Sequence, residues 1–400
     1  MNVLFITDVN IVGGATKSFV ELASLLKQKF NINIWVCTGS YTTLNQELSK
    51  IGILSIDDGH VPAMEADDRR PQKKFSLEFI KYQINYYKAA KIFRKRTAAA
   101  VKKIERNIDL DLIDLIHTNS ARNDIGCILS AKYHIPHIVH IREFGVEDFN
   151  CRFLRKDYCR FLNKGTDLFI TVSNSVRNSW GKRGLDVSKA KVIYNGIRHQ
   201  GILQADHEDM QNSEFLKLVA VGGVYPTKGQ YQIIEAMGLL PEDIKKRITL
   251  DIFGWSDDDY IKELLARAEK LNIGDQVTWK GAVKEVHKIL SQYHVGITCS
   301  KAEGFGRVTA EYMHAGLGVI VSNTGANTEL IEKEKTGLVY VLDDYIDLSQ
   351  QILRFFNDRE LLVKCGKNAI SEARVCFTDE INAENIVEEY RKFANERMCK

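Results

Sequence analysis

Short apolar runs alternate with stretches of helical period along most of this chain. The first run, VLFIT at 3–7, reads as a strand. A loop holding Gly13 and Gly14 follows it, then a helix over about 16–30. Further strands are expected at 32–37, 112–117, 137–141, 168–172 and 191–193, and Asn195-Gly196 punctuates the end of that series. The next stretch, HQGILQADHEDMQNSE at 199–214, is polar and aperiodic. Beyond it the alternation restarts at 216–221, 248–253, 276–279, 295–298, 318–322 and 337–340, and a helical tail closes the chain over about 379–397. Strand–helix alternation is the signature of parallel sheets wound with helices. The pattern predicts an α/β protein of two Rossmann-like halves. Their expected bounds are 1–198 and 215–378, with 199–214 as linker and 379–400 as a helix packing back on the first half. A ligand is expected in the cleft between the halves, at the carboxyl ends of the strands.

One segment breaks the pattern. Residues 69–106 hold thirteen Lys or Arg against two acids, Glu78 and Glu105, with Phe75, Phe79, Tyr82, Tyr86, Tyr87 and Phe93 interleaved. It reads as one long helix or two shorter ones. Its net charge is +11 in a chain whose total is +3, so the remainder carries −8. A solvated helical face and a nucleic-acid surface are competing readings, but no nucleic-acid-reading motif accompanies the charge. Bases with interleaved aromatics suit an anionic membrane surface, and peripheral contact there is the expectation.

Composition narrows the class further. At 44% hydrophobic and 27% charged, 400 residues make an ordinary globular chain of two or three domains. The eight cysteines include no CxxC pair and no zinc-type spacing, so they read as reduced core residues. The N-terminal run lacks a basic n-region and a cleavage site, and no stretch reaches the roughly 18 to 20 apolar residues of a membrane span. A cytoplasmic protein is expected, touching the inner face of the membrane without crossing it.

Candidate chemistry gathers in the second half. EGFGRVTAE places Glu303 before a Gly304-Phe305-Gly306 turn, and Glu311 about one turn into a helix expected over 307–315 and stopped by Gly316. The first-turn N–H groups at Arg307, Val308 and Thr309 favour an anion. GGVYPTKG, after the half's first strand, adds Lys228, and NTGANTEL follows a later strand. Loops after strands line one crevice, so Lys228, Arg307 and the helix start are expected to converge on a diphosphate. The adjacent carboxylates would accept hydrogen bonds from sugar hydroxyls.

In motif order the chain resembles a retaining glycosyltransferase of family 4, with the two-Rossmann GT-B fold. The resemblance is carried by the Gly-Gly loop, VSNSVRNSW, KVIYNGI, KGQYQIIEAM, EGFGRVTAEYMHAG and NTGANTELI. It implies that Glu303 faces the donor sugar and that Glu311 binds the nucleotide ribose. Residues 304–309 would hold sugar and diphosphate, Lys228 would neutralise the phosphates, and Gly13 and Gly14 would approach the diphosphate and acceptor. It further implies a UDP-sugar donor, a glycan or lipid-linked acceptor, and neither metal nor cofactor. Two departures stand out. Gly223 occupies a position where the family commonly has Arg, and Arg307 is expected to supply that charge. In HIREFG, either His140 or Arg142 stands where relatives place a sugar-contacting His. A sugar-nucleotide epimerase and a non-catalytic nucleotide-sugar sensor remain as alternatives. The basic segment argues against the first, and the intact Glu303, Glu311 and Lys228 set against the second.

Overall fold

A computed structural model describes residues 1–7, 14–65, 70–71, 73 and 76–398. The chain forms two compact units, Met1–Tyr194 with Asp379–Lys400, and Asn195–Thr378. The first contains β1 (Asn2–Thr7), β2 (Asn33–Thr38), β3 (Leu54–Asp57), β4 (Met64–Glu65), β5 (Leu115–Thr118), β6 (His137–Ile141), β7 (Arg152–Phe153), β8 (Leu168–Thr171) and β9 (Ala190–Val192). Seven of these form a parallel sheet in the order β3-β2-β1-β5-β6-β8-β9, while β4 and β7 pair antiparallel on their own.

The apolar run of β1 is explained by the cover on its two faces. Val3 and Phe5 meet Phe19, Leu22 and Leu26 of the helix Gly14–Gln28, together with Ile386 and Tyr390 of the helix Asp379–Met398. Leu4 and Ile6 face the opposite layer, with Ala100 and Ile104 of the helix Leu77–Asn107 and Leu129 of the helix Ile125–Tyr133. Successive strand side chains point to opposite faces, so a strand covered on both sides carries no polar alternation. The closing helix buries Ala383, Ile386, Val387 and Tyr390 at i, i+3, i+4 and i+7.

The basic segment forms a single helix, Leu77–Asn107, capped by Ser76, whose hydroxyl accepts from the Phe79 N–H at 3.1 Å. Three strands carried too little pattern to be read in advance. β3 is a half-buried edge strand of four residues, and β4 and β7 are two residues each. The strand expected at 112–117 begins later, at Leu115, because a 3-10 turn capped by Asp109 occupies Leu110–Leu112.

The second unit contains β10 (Leu216–Val221), β11 (Ile248–Phe253), β12 (Val277–Gly281), β13 (Val295–Thr298), β14 (Gly318–Ser322) and β15 (Leu338–Tyr340), in the parallel order β12-β11-β10-β13-β14-β15. The chain runs outward from β10 to β12, then resumes on β10's other side at β13. That reversal makes the β10–β13 boundary a topological switch point, where loops diverge and leave a crevice. The segment 199–214, expected as a linker, is built into this unit. Asp206 caps a helix at His207–Asn212, Met210 is fully buried, and the Ala205 N–H donates to the Ala315 carbonyl at 2.8 Å. One buried anchor on one and a half turns leaves no periodicity to read.

His117, His137 and His140 are fully buried in the first unit. Burial holds His117 and His140 well below the ordinary imidazole pKa, with the nearby Arg142 charge adding to the effect, and burial brings His137 down to about 4. The unfolded chain therefore takes up protons below about pH 6.5 that the folded chain refuses, so stability falls as pH drops. Each histidine contributes up to about 1.4 kcal/mol per pH unit in that window. Thermal unfolding at pH 7 and pH 5 is expected to show a marked loss at the lower pH, lessened in His137→Gln. A midpoint that does not move between the two contradicts this assignment.

Candidate active site

The loops after β10, β13 and β14 are tied together by main-chain bonds. The Lys301 N–H donates to the Thr227 carbonyl at 3.0 Å, and the Ala326 N–H donates to the Glu303 carbonyl at 2.8 Å. Gly325 sits at φ 57°, and a Cβ there would lie 2.4 Å from the Glu303 carbonyl oxygen. Gly229, at φ 75°, presses equally close on the Cys299 carbonyl. Buried Gln232 braces the same region: its Nε2 donates to the Cys299 carbonyl at 3.0 Å, and its Oε1 accepts from the Tyr340 hydroxyl at 3.0 Å and the Asp343 N–H at 2.9 Å. Neither Gly325 nor Gln232 was singled out from sequence. Both act through contacts distant in the chain.

On this frame the expected residues come together as two ion pairs flanking one turn. Lys228 Nζ lies 2.9 Å from Glu303 Oε2, both partly buried. Arg307 Nε lies 3.2 Å from Glu311 Oε1, and Glu311 is 7% exposed. Between the pairs runs Gly304-Phe305-Gly306, with Phe305 buried. The helix spans Arg307–Ala315, and Gly316 ends it at φ 76°. Gly306, at φ 90°, stands at its start and has no side chain to cap the first turn, so those N–H groups suit an anion. Arg307 is a cation at the positive end of a helix with no acid in its first turn, a placement that its dipole opposes. Thr309 points inward, its Oγ1 3.0 Å from that of Thr298, and the Tyr312 hydroxyl accepts from the Val221 N–H at 2.8 Å, locking the helix to the end of β10.

Residues 12–200 match the family described as Glycosyltransferase Family 4, and residues 205–372 match that described as Glycosyl transferases group 1. The chain belongs to glycosyltransferase family 4. An uncharacterised glycosyltransferase of Methanocaldococcus jannaschii is 25% identical over 269 residues, 66% of this chain and 72% of that one. The capsular polysaccharide biosynthesis glycosyltransferase CapH of Staphylococcus aureus is 22% identical over 324 residues, 80% of each chain. The HepE protein of Anabaena, solved in complex with UDP, superposes with a TM-score of 0.78 at 19% identity, covering 98% of this chain and 100% of that one. The fold is therefore GT-B.

In this family 4 glycosyltransferase, the ring of Tyr225 accompanies the glycine at 223. A Cβ built on Gly223 would meet that ring at 2.3 Å. The first unit holds the other expected residues. His140 is fully buried and takes a hydrogen bond on Nδ1 from Arg142 Nη2 at 3.3 Å. A guanidinium only donates, so the His140 proton is on Nε2, which has no partner among the described residues. Arg142 is half-buried and anchored by Asn119, whose Oδ1 accepts from its Nε at 2.8 Å. Gly14 begins the helix Gly14–Gln28, and Gly13 lies outside the described residues.

Gly325→Ala forces a side chain into the left-handed region and against the Glu303 backbone, and is expected to cost about 1–3 kcal/mol. Denaturant unfolding reads that loss directly. A variant of unchanged stability would show that the two loops part without cost.

Proposed function

We propose that this glycosyltransferase moves a sugar, with retention, from a UDP-sugar to a glycan or lipid-linked acceptor in cell-surface polysaccharide or glycolipid synthesis. The observation carrying this reading is the convergence of Lys228, Glu303 and an uncapped helix start at the switch point of the second unit. The UDP bound to HepE supports the choice of base.

Breaking the sugar–phosphate bond builds negative charge on the diphosphate. Lys228, Arg307 and the N–H groups at 307–309 are fixed before that charge develops, so they stabilise it with little reorganisation. An arriving diphosphate also competes for the two cations, releasing Glu303 to the sugar hydroxyls and Glu311 to the ribose. Arg307 supplies charge that Gly223 does not, and the anion relieves its unfavourable place on the helix. Arg142 is assigned the sugar contact in preference to His140, because the imidazole is buried and positions the guanidinium. The acceptor hydroxyl attacks from the leaving-group side and passes its proton to the departing phosphate. The reading includes no metal.

Glu303→Gln is expected chiefly to lower kcat, and Glu311→Ala chiefly to raise donor KM, because ribose contacts change little on the way to the transition state. UDP should raise Tm equally with EDTA or magnesium, at 100 times its Kd adding about 2.7 kcal/mol of stability. Wild-type kinetics in both variants, or a shift abolished by EDTA, would sink the site assignment.

Membrane contact is part of the same proposal. The helix Leu77–Asn107 exposes Leu77, Ile80, Ile84 and Tyr87 at helical spacing, with Lys88, Lys91 and Lys95 continuing that face. Among the described residues no helix is long and apolar enough to cross a membrane. Each base near an anionic surface contributes about 1 kcal/mol, reduced by salt. Flotation is expected with anionic but not zwitterionic vesicles, and is expected to be lost in Lys88→Glu with Lys91→Glu and Lys95→Glu. Equal behaviour on both vesicle types returns this face to plain solvent exposure.

A further inference from the structure

Within the first unit a cavity of about 670 Å³ opens between the start of the helix Leu77–Asn107 and the segment after β6. Among the described residues, Arg70, Arg152, Arg155, Arg160 and Arg183 line it against a single carboxylate, Asp157. Three of these guanidinia are braced from behind. Arg152 donates to Glu65 at 2.6 and 2.8 Å, Arg155 donates to Asp124, and Arg183 donates to Glu147. Each guanidinium has five N–H groups, so the braces fix its plane and leave donors over. Among the described residues the balance stays positive even counting the three bracing carboxylates, and Arg160 has no carboxylate partner. Arg152 also lies 4.8 Å over the Tyr82 ring and 5.4 Å over that of Tyr86.

We propose that this pocket is a second anion site, which binds a phosphate or diphosphate ester. Planar, pre-oriented guanidinia match phosphate oxygens in pairs. The two tyrosines offer apolar surface to the group that the phosphate esterifies, and the volume is that of an ordinary small-molecule site. At about 100° per residue, Tyr82 and Tyr86 share the helix face that continues into buried Ala90 and Phe93. Leu77, Ile80 and Ile84 lie on the opposite, exposed face. The anion site thus lies across the helix from the apolar, basic-flanked surface, and the ester can come from solution or from a lipid. The site rests on the transferase reading only in making the ester part of the acceptor.

Calorimetric titration of the full chain with inorganic pyrophosphate, in saturating UDP, tests the site. One binding event is expected in the wild type, weakened about tenfold or more in Arg160→Ala and in Arg152→Gln, with UDP affinity unchanged. Arg160 is exposed, so its variant is expected to fold. Retention of most binding in Arg160→Lys would mark a charge contact. Saturation by a hexose 1-phosphate identifies a soluble ester. Arg160-dependent flotation with phosphatidic acid, above that with phosphatidylserine at matched charge, identifies a lipid phosphate. Pyrophosphate binding that is absent, or equal in wild type and both variants, overturns the proposal while leaving UDP binding to report on the donor reading. UDP binding that fails while pyrophosphate still binds has the converse meaning.

Discussion

The candidate site depends on a main-chain contact. The Glu303 carbonyl accepts from the Ala326 N–H while Gly325 presses against the same peptide, closer than any Cβ permits. That contact ties the loop after β13 to the loop after β14, and Lys301 with Thr227 joins the loop after β10. A carboxylate on a free loop pays conformational entropy whenever it orders around a ligand. Here the backbone carrying Glu303 is already placed, and Lys228 finds it at 2.9 Å. Acid and base are held at partial burial by peptide geometry, which is how one site offers charges of both signs without either collapsing onto a distant partner.

The first unit meets a different demand. Its central strand is apolar on both faces, so it needs helices in two layers, and the last helix of the chain completes one of them. Tyr390 from that helix reaches His117, with 2.5 Å between its hydroxyl and Nδ1, and the His117 ring lies 5.5 Å from that of His140. Burial keeps these imidazoles neutral. Arg142, supported by His140 and Asn119, is thereby presented by a rigid and uncharged base.

Charge in this protein is local. The total is +3, yet the helix Leu77–Asn107 and the segment after β6 gather a dense set of bases. Tyrosines from the helix and arginines from the segment interleave, so a surface helix and a pocket share the same side chains. One amphipathic element therefore serves a packed face and an exposed face at once.

The periodic features were legible in the sequence. Both parallel sheets, the turn at 304–306, the helix at 307–315 with its glycine stop, and the closing helix all follow from spacing and from glycine and apolar placement, because these are local properties of the chain. Four-residue β3, two-residue β4 and β7, and the helix His207–Asn212 were not legible, since none is long enough to show a period. The site divides along the same line. The sequence by itself determined that Lys228, Glu303, Arg307 and Glu311 follow strands and sit near a helix start. Only the tertiary structure paired Lys228 with Glu303 across 75 positions, buried His140 while leaving Arg142 accessible, and brought Arg70 to a pocket with Arg160. Those outcomes depend on which strands become neighbours and which faces are covered, and such long-range contacts leave no period in the sequence.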